Sequence, residues 1–430
     1  MPFTPASAGP TRPASRIPLI LLFTLICCPF LWGAAAATAA QEEFVDGVLH
    51  VKNSAAPSGG IETLTLEQMW QVGGEDDDDF MFGLISQALV DDENNVYLLD
   101  SQLNEVTVVS PAGEFLRTVG REGEGPGEFR MAFDMVFMPD GSLGVAQVFP
   151  GKLVQLNLDG SPAGEFRPNL GEATQGGFMV LVNCISAGGN LILTGIDMTF
   201  NQQELTQTRR YFLKSFNSAG TPLTHFHGTE IVWNFNDFTL KEIETDYLWG
   251  RVDVGTDGRV VAAAPRQGYE LTVFNPDGSI DRIIERDYES WPRNDKATGR
   301  ANAMMNGQLR QMPPGTEVEL EDYEADIVTV FVRDDGTVWV QTSRAVWDPK
   351  PGVFTTFDVF NPKGEFIKQV DVVADGNAAD DALLLAANDL VIHISGWQDG
   401  FVQLMGGVME EDESGEEAAP MAVTCFRMGK

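Results

Sequence analysis

Five consecutive carboxylates, Glu75-Asp76-Asp77-Asp78-Asp79, form the sharpest cluster of chemistry-bearing residues in the chain. Hard cations prefer oxygen ligands, so such a run could hold Ca2+ or another divalent ion. The run lacks the D-x-D-x-D-G spacing of a calcium loop, and an unbroken charge run is equally explained as a solvated surface. Glu122, Glu124 and Glu128 stand in a glycine-rich stretch and could add carboxylates, although turn geometry alone accounts for the glycines. His225 and His227 lie two apart on an expected strand, a spacing that zinc can use. Further ligands are not evident nearby, since only His50 and His393 remain, so the pair reads as surface histidines of an outer strand. Trp291 and Trp347, near prolines in long connecting segments, are the two tryptophans that could contact a ligand, although core or loop packing explains them equally. The candidate ligand-binding set is therefore Glu75 to Asp79, Glu124, Glu128, Trp291 and Trp347, with a divalent cation as the one cofactor it would suit.

Catalytic signatures are missing. There is no G-x-S-x-G elbow, no H-E-x-x-H, no phosphate loop and no dinucleotide-binding glycine fingerprint after a strand. No residue is assigned a catalytic role.

The elements that must position these residues are short strands. Period-2 alternation recurs along the chain, and few stretches carry a helical period. Tight turns of two kinds alternate between the strands. The first kind precedes a strand at Asn94-Asn95, Asp140-Gly141, Gly188-Gly189, Asp257-Gly258, Asp335-Gly336 and Asn388-Asp389, which makes six copies. Such pairs supply the positive φ that two-residue hairpin turns need. The second kind reads Ser110 to Gly113, Leu158 to Gly160, Asn217 to Gly220, Asn275 to Gly278 and Asn361 to Gly364, which makes five. Each unit is thus strand a, turn, strand b, connection, strand c, turn, strand d. Repeated four-stranded antiparallel units predict an all-β propeller of six blades.

The absent sixth copy predicts how the ring closes. Met421 to Phe426 reads as a strand c with nothing after it, and Leu64 to Val72 as a strand d with nothing before it. Val72-Gly73 precedes Phe82 by nine residues, as Val119-Gly120 precedes Phe129. The N-terminal strand should therefore complete the last blade and remove the exposed edges. Successive first turns are 46, 48, 69, 78 and 52 residues apart, so blades of roughly 40–50 residues carry insertions.

The segment Gly120-Arg121-Glu122-Gly123-Glu124-Gly125-Pro126-Gly127-Glu128-Phe129 resembles the glycine-rich linker of bacterial exported NHL-like six-bladed propeller proteins. The turn-and-strand pattern follows that resemblance over most of residues 61–428, departing from it in blades three and six. The resemblance implies the fold and says little about activity. Gluconolactonase-type relatives imply an alternative, a metal-dependent hydrolase or lactonase with a divalent ion in the central channel. Asp134 and Asp253, on expected inner strands, would be conceivable ligands there.

Residues 1–40 read as a signal peptide: Arg12 and Arg16, an apolar run from Ile17 to Trp32, and an A-x-A site at Ala37-Thr38-Ala39. The sixteen-residue run is short for a membrane span of about 20 residues. A small residue is missing before Cys27 or Cys28, which argues against lipidation. Residues 41–60 are expected to be flexible, and residues 61–430 to form the propeller with an insertion at 288–323 that is helical over Lys296 to Leu309.

Removing residues 1–40 takes away two arginines and no acids, which moves the net charge from −35 to −37. Such a surface repels phosphate backbones and excludes nucleic acid as a natural partner. Cys184 and Cys425 fall in blades three and six, on opposite sides of the ring, so free thiols are expected. In a four-stranded blade the a–b and c–d turns share one face of the disc, while b–c connections and interblade links share the other. Nearly all long segments fall in the second group, including Asp197 to Thr208, Tyr288 to Tyr323 and Ser343 to Val353. The reading is an exported, monomeric, non-catalytic module, periplasmic or secreted and without an integral membrane domain. It would bind a protein, peptide or glycan on its loop-rich face.

Overall fold

In a computed structural model, residues 40–75, 77, 80–170, 177–387, 389–408 and 420–429 are described. Six four-stranded antiparallel blades follow one another. Blade one spans Ile85–Val90 to Phe115–Val119, blade two Ala132–Phe137 to Pro162–Phe166, and blade three Gly177–Ala187 to Pro222–Asn234. Blade four spans Val252–Val254 to Ile280–Arg286 and blade five Ile327–Val332 to Phe366–Val373. Blade six takes strands a to c from Ala382–Leu385, Leu390–Ile394 and Ala422–Met428.

Its fourth strand comes from the other end of the chain. Within Ile61–Gly73, residues Leu66 to Gly73 pair antiparallel with Met428 to Ala422, so the N-terminal strand closes the ring as expected. The five second-kind turns are the c–d turns, each closed by a glycine at positive φ, from Gly113 at 84° to Gly364 at 87°. Gly364 N–H, for example, donates to Asn361 O at 2.8 Å.

Six apolar clusters lie between successive blades, each with its own fully buried members, such as Leu98 between blades six and one and Val340 between four and five. Burying one aliphatic side chain stabilises by about 1.5–3 kcal/mol, against about 1 kcal/mol for a typical hydrogen bond. Packing between blades therefore dominates over the turns.

Two sequence expectations are corrected. Residues 41–60 are not a featureless segment. Gln41–Val45 and Val48–Asn53 form a hairpin around Asp46-Gly47, and the second strand pairs parallel with Ile280–Arg286 of blade four. Alternating apolar residues Val51 and Leu49 give that strand a face to bury, and Val51 is fully buried. Ile61 to Thr65 likewise pair parallel with the outer strand of blade five. In blade three the b–c connection shrinks from Asp197 to Thr208 to a four-residue turn at 202–205: strands b and c run Asn190–Asn201 and Thr206–Phe216, in register throughout. Alternating side chains let both strands continue beyond the ring.

Four helices occur among the described residues: α1 (Glu242–Thr245), α2 (Asp295–Leu309), α3 (Ser343–Trp347) and α4 (Trp397–Leu404). Helix α2 starts where the Asn294 side chain accepts Ala297 N–H at 2.9 Å. None of these helices is long and apolar enough to cross a membrane. The expected signal segment lies outside the described residues.

Candidate functional site

All four helices belong to interblade links or b–c connections, so they gather on one face of the disc. A parallel strand pair, Thr239–Lys241 with Glu317–Glu319, joins them there. Trp233, Leu240 and Met305 bury a seventh apolar cluster that belongs to no blade interface. Helix α2 crosses the segment after α4 so closely that a Cβ on Gly307 would lie 2.4 Å from Met405 O. Helix α4 also touches blades one and two, through Leu84 near Gly400 and Phe133 against Phe401 at 5.6 Å. The loop face is thus a second packed layer.

An ion network locks this layer to the ring. Arg293 donates to both oxygens of Glu242, at 2.5 and 2.6 Å, and to Glu324 at 2.7 Å. Arg266 reaches Glu242 at 2.9 Å and Asp246 at 3.4 Å, and Arg251 donates to Asp246 at 2.7 Å. Burial alone would raise the Glu242 pKa. The Arg293 hydrogen bonds and the two neighbouring guanidinium charges overcome it and hold the carboxyl below its ordinary value. Most of these partners are far apart in sequence, Glu242 lying 24 residues from Arg266 and 51 from Arg293, so no local motif would reveal them.

The residues nominated from sequence do not converge. Glu75 is exposed, and the half-buried Asp77 accepts Gly73 N–H at 2.9 Å. Asp76, Asp78 and Asp79 lie outside the described residues. Glu124 is exposed and accepts from Arg130 at 3.0 Å. Glu128 latches its own loop, accepting Gly125 N–H at 2.9 Å and two bonds from Arg121, and these hold its pKa below the ordinary value. That docked carboxylate accounts for two of the glycines: a Cβ would meet Glu128 Oε2 at 2.0 Å on Gly123 and at 2.9 Å on Gly125. Trp291 and Trp347 pack against each other. Their rings stack at 6.1 Å and 9°, Trp291 is 7% exposed, and Arg300 covers Trp347 at 5.3 Å. Two large aromatic faces gain more against each other than against water.

His225 and His227 also separate. A bulge puts them opposite Lys214 and Leu213, leaving His225 exposed while His227 stacks on Tyr247 at 6.2 Å. Asp134 and Asp253 do lie on inner strands, yet both act as links between blades. Asp134 accepts Cys184 N–H at 2.7 Å and Gln87 Nε2 at 2.8 Å. Asp253 accepts Val332 N–H at 2.7 Å. Burial pushes both pKa values up, that of Asp253 to about 6. Among the described residues, no three His, Cys, Asp or Glu side chains stand together as a metal site.

One cleft of about 270 Å³ opens on the opposite, tight-turn face between blades four and five. Val261, Val273 and Ile284 floor it, with Asp257, Arg282 and Asp334 at the rim. It falls just below the roughly 300 Å³ at which ligand pockets usually begin.

A family model described as 6-bladed beta-propeller matches residues 75–172. No curated protein matches the chain. Among solved structures, a Bacteroides fragilis protein put forward as exported is 12% identical, covering 88% of this chain and 100% of its own, at a TM-score of 0.49. A gluconolactonase from Xanthomonas campestris is 9% identical over 85% and 100%, at 0.43. A virginiamycin B lyase from Staphylococcus aureus is 10% identical over 85% and 99%, at 0.39. Likenesses at this level carry no argument about activity. The match over residues 75–172 and the six blades themselves agree on the fold, a six-bladed β-propeller.

Proposed function

We propose that the protein is an extracytoplasmic, non-catalytic interaction module that holds a protein, peptide or glycan on the face carrying the four helices. The observation that carries this reading is the one-sided second layer, pinned by the Glu242–Arg293 network. Building extra structure on one face of a rigid scaffold is how binding surfaces are commonly displayed. Export is inferred from Arg12, Arg16, the apolar run to Trp32 and the A-x-A site ending at Ala39.

The hydrolase reading asks for carboxylates free to gather around a divalent ion. Asp134 and Asp253 instead spend acceptor capacity on the backbone of the next blade, which supports the binding reading over the metal one. Elemental analysis of the mature protein after exhaustive dialysis, paired with a screen of lactones and esters, tests it. The expected result is no stoichiometric divalent ion and no turnover. A retained ion with robust turnover would overturn the proposal.

A further inference from the structure

We infer that the docking site on this face is the sector over blades one to three, and that its occupant is a basic polypeptide segment bearing apolar anchors. The inference rests on the reading of the helix-bearing face as an interaction surface. Three successive connections and the start of the first strand of blade three each expose one large apolar side chain there. Leu103 is 45% exposed, Met131 56%, Phe149 44% and Phe178 39%.

Singly scattered apolar residues on a surface mean little. These four are stitched into a row. Asn104, next to Leu103, accepts Ala132 N–H through Oδ1 at 3.2 Å. Met131 O accepts Val148 N–H at 2.9 Å, which places Met131 beside Phe149. The rings of Phe149 and Phe178 meet edge to face at 5.3 Å. Met131 holds φ at 51°, a left-handed conformation that costs energy for a residue with a Cβ. The chain tolerates that cost to present an unbranched, adaptable side chain to solvent, the kind used on recognition surfaces.

Charge sets the chemistry of the occupant. Glu122 and Glu124, in the link leading to Met131, share the single guanidinium of Arg130, at 3.9 and 3.0 Å. Two carboxylates on one cation leave the margin of the row negative, on a chain whose net charge is −35. A second copy of this chain would be repelled, and an anionic membrane surface likewise. A segment with lysines or arginines flanking apolar side chains matches both features.

The probe is a synthetic peptide alternating lysine and leucine, titrated calorimetrically into the mature protein at physiological salt, where screening acts over about 8 Å. It should bind at least about tenfold tighter than lysine–serine or glutamate–leucine peptides. Met131→Glu with Phe149→Ser, and separately Glu122→Lys with Glu124→Lys, should each weaken it about tenfold while circular dichroism stays unchanged. Leu103→Ser replaces any variant that does not fold. Retained affinity in the row variants, or no preference among the peptides, would overturn the inference. Loss of binding on Trp249→Ser or Tyr323→Ser instead would move the site elsewhere on the same face, sinking this inference alone. Loss only on Leu223→Ser, on the tight-turn face, would sink the loop-face reading as well.

Discussion

Asp253 on the inner strand of blade four accepts the backbone N–H of Val332, on the inner strand of blade five, at 2.7 Å. Asp134 makes the same reach from blade two to Cys184 of blade three. Carboxylates thus serve as rivets between neighbouring blades.

That placement gives the ring a pH dependence. Burial outweighs the two backbone hydrogen bonds and moves the Asp253 pKa from 3.8 to about 6. A carboxyl that binds its proton more tightly when folded stabilises the fold fully below pH 3.8, and that contribution is lost as pH rises through about 6. The loss amounts to up to about 3 kcal/mol. Asp253→Asn keeps an acceptor for Val332 N–H and removes the titration. Urea unfolding at pH 4 and pH 6.5 should therefore show a smaller difference between the two pH values in the variant than in the parent.

Glu242 bridges two guanidiniums whose side chains are 5% and 7% exposed. Glu242→Gln leaves both cations buried with a weaker partner, a change that costs about 3–5 kcal/mol when a buried pair is broken. The damage should stay local. Hydrogen exchange should quicken across residues 288–323, while the c–d turns and inner strands of blades one and two keep their protection.

The N-terminal segment should show two separable roles. Deleting residues 41–53 strips a hairpin from the outer edge of blade four and leaves ring closure in place. Deleting through Gly73 removes the fourth strand of blade six, including Trp70 and Val72 from an interblade core. The first truncation should remain folded with a lowered Tm. The second should yield aggregating or unfolded protein, read by calorimetry and size exclusion.

Cys184 and Cys425 are both buried and unpaired, and burial pushes the Cys425 thiol up to about 12. Neither should react with a thiol reagent in native buffer, and both should react in denaturant. Reaction of neither thiol in denaturant would mean a disulfide, which opposite sides of the ring forbid.

The fold was legible because its signals are local. Asp-Gly and Asn-Pro-x-Gly turns fix φ within a few residues, and Gly73 repeats the spacing of Gly120 to its following phenylalanine. The hairpin at 41–53 carried the same kind of signal, since Asp46-Gly47 sits between alternating apolar residues. Its parallel partner, however, lies more than 230 residues away, as in Leu49 with Arg282. The candidate site was far less legible. Glu128 and the Trp291–Trp347 stack look available in sequence because exposure depends on partners that only the folded chain supplies. The row from Leu103 to Phe178 has no motif, because its members come from three different connections and the start of a strand.

Site-specific photo-crosslinking in the producing cell tests the binding claim most directly, with the cross-linker placed at Phe149 on the helix-bearing face and at Asp334 on the tight-turn face. The account predicts a discrete adduct from Phe149 and none from Asp334. An adduct from Asp334 alone would contradict it.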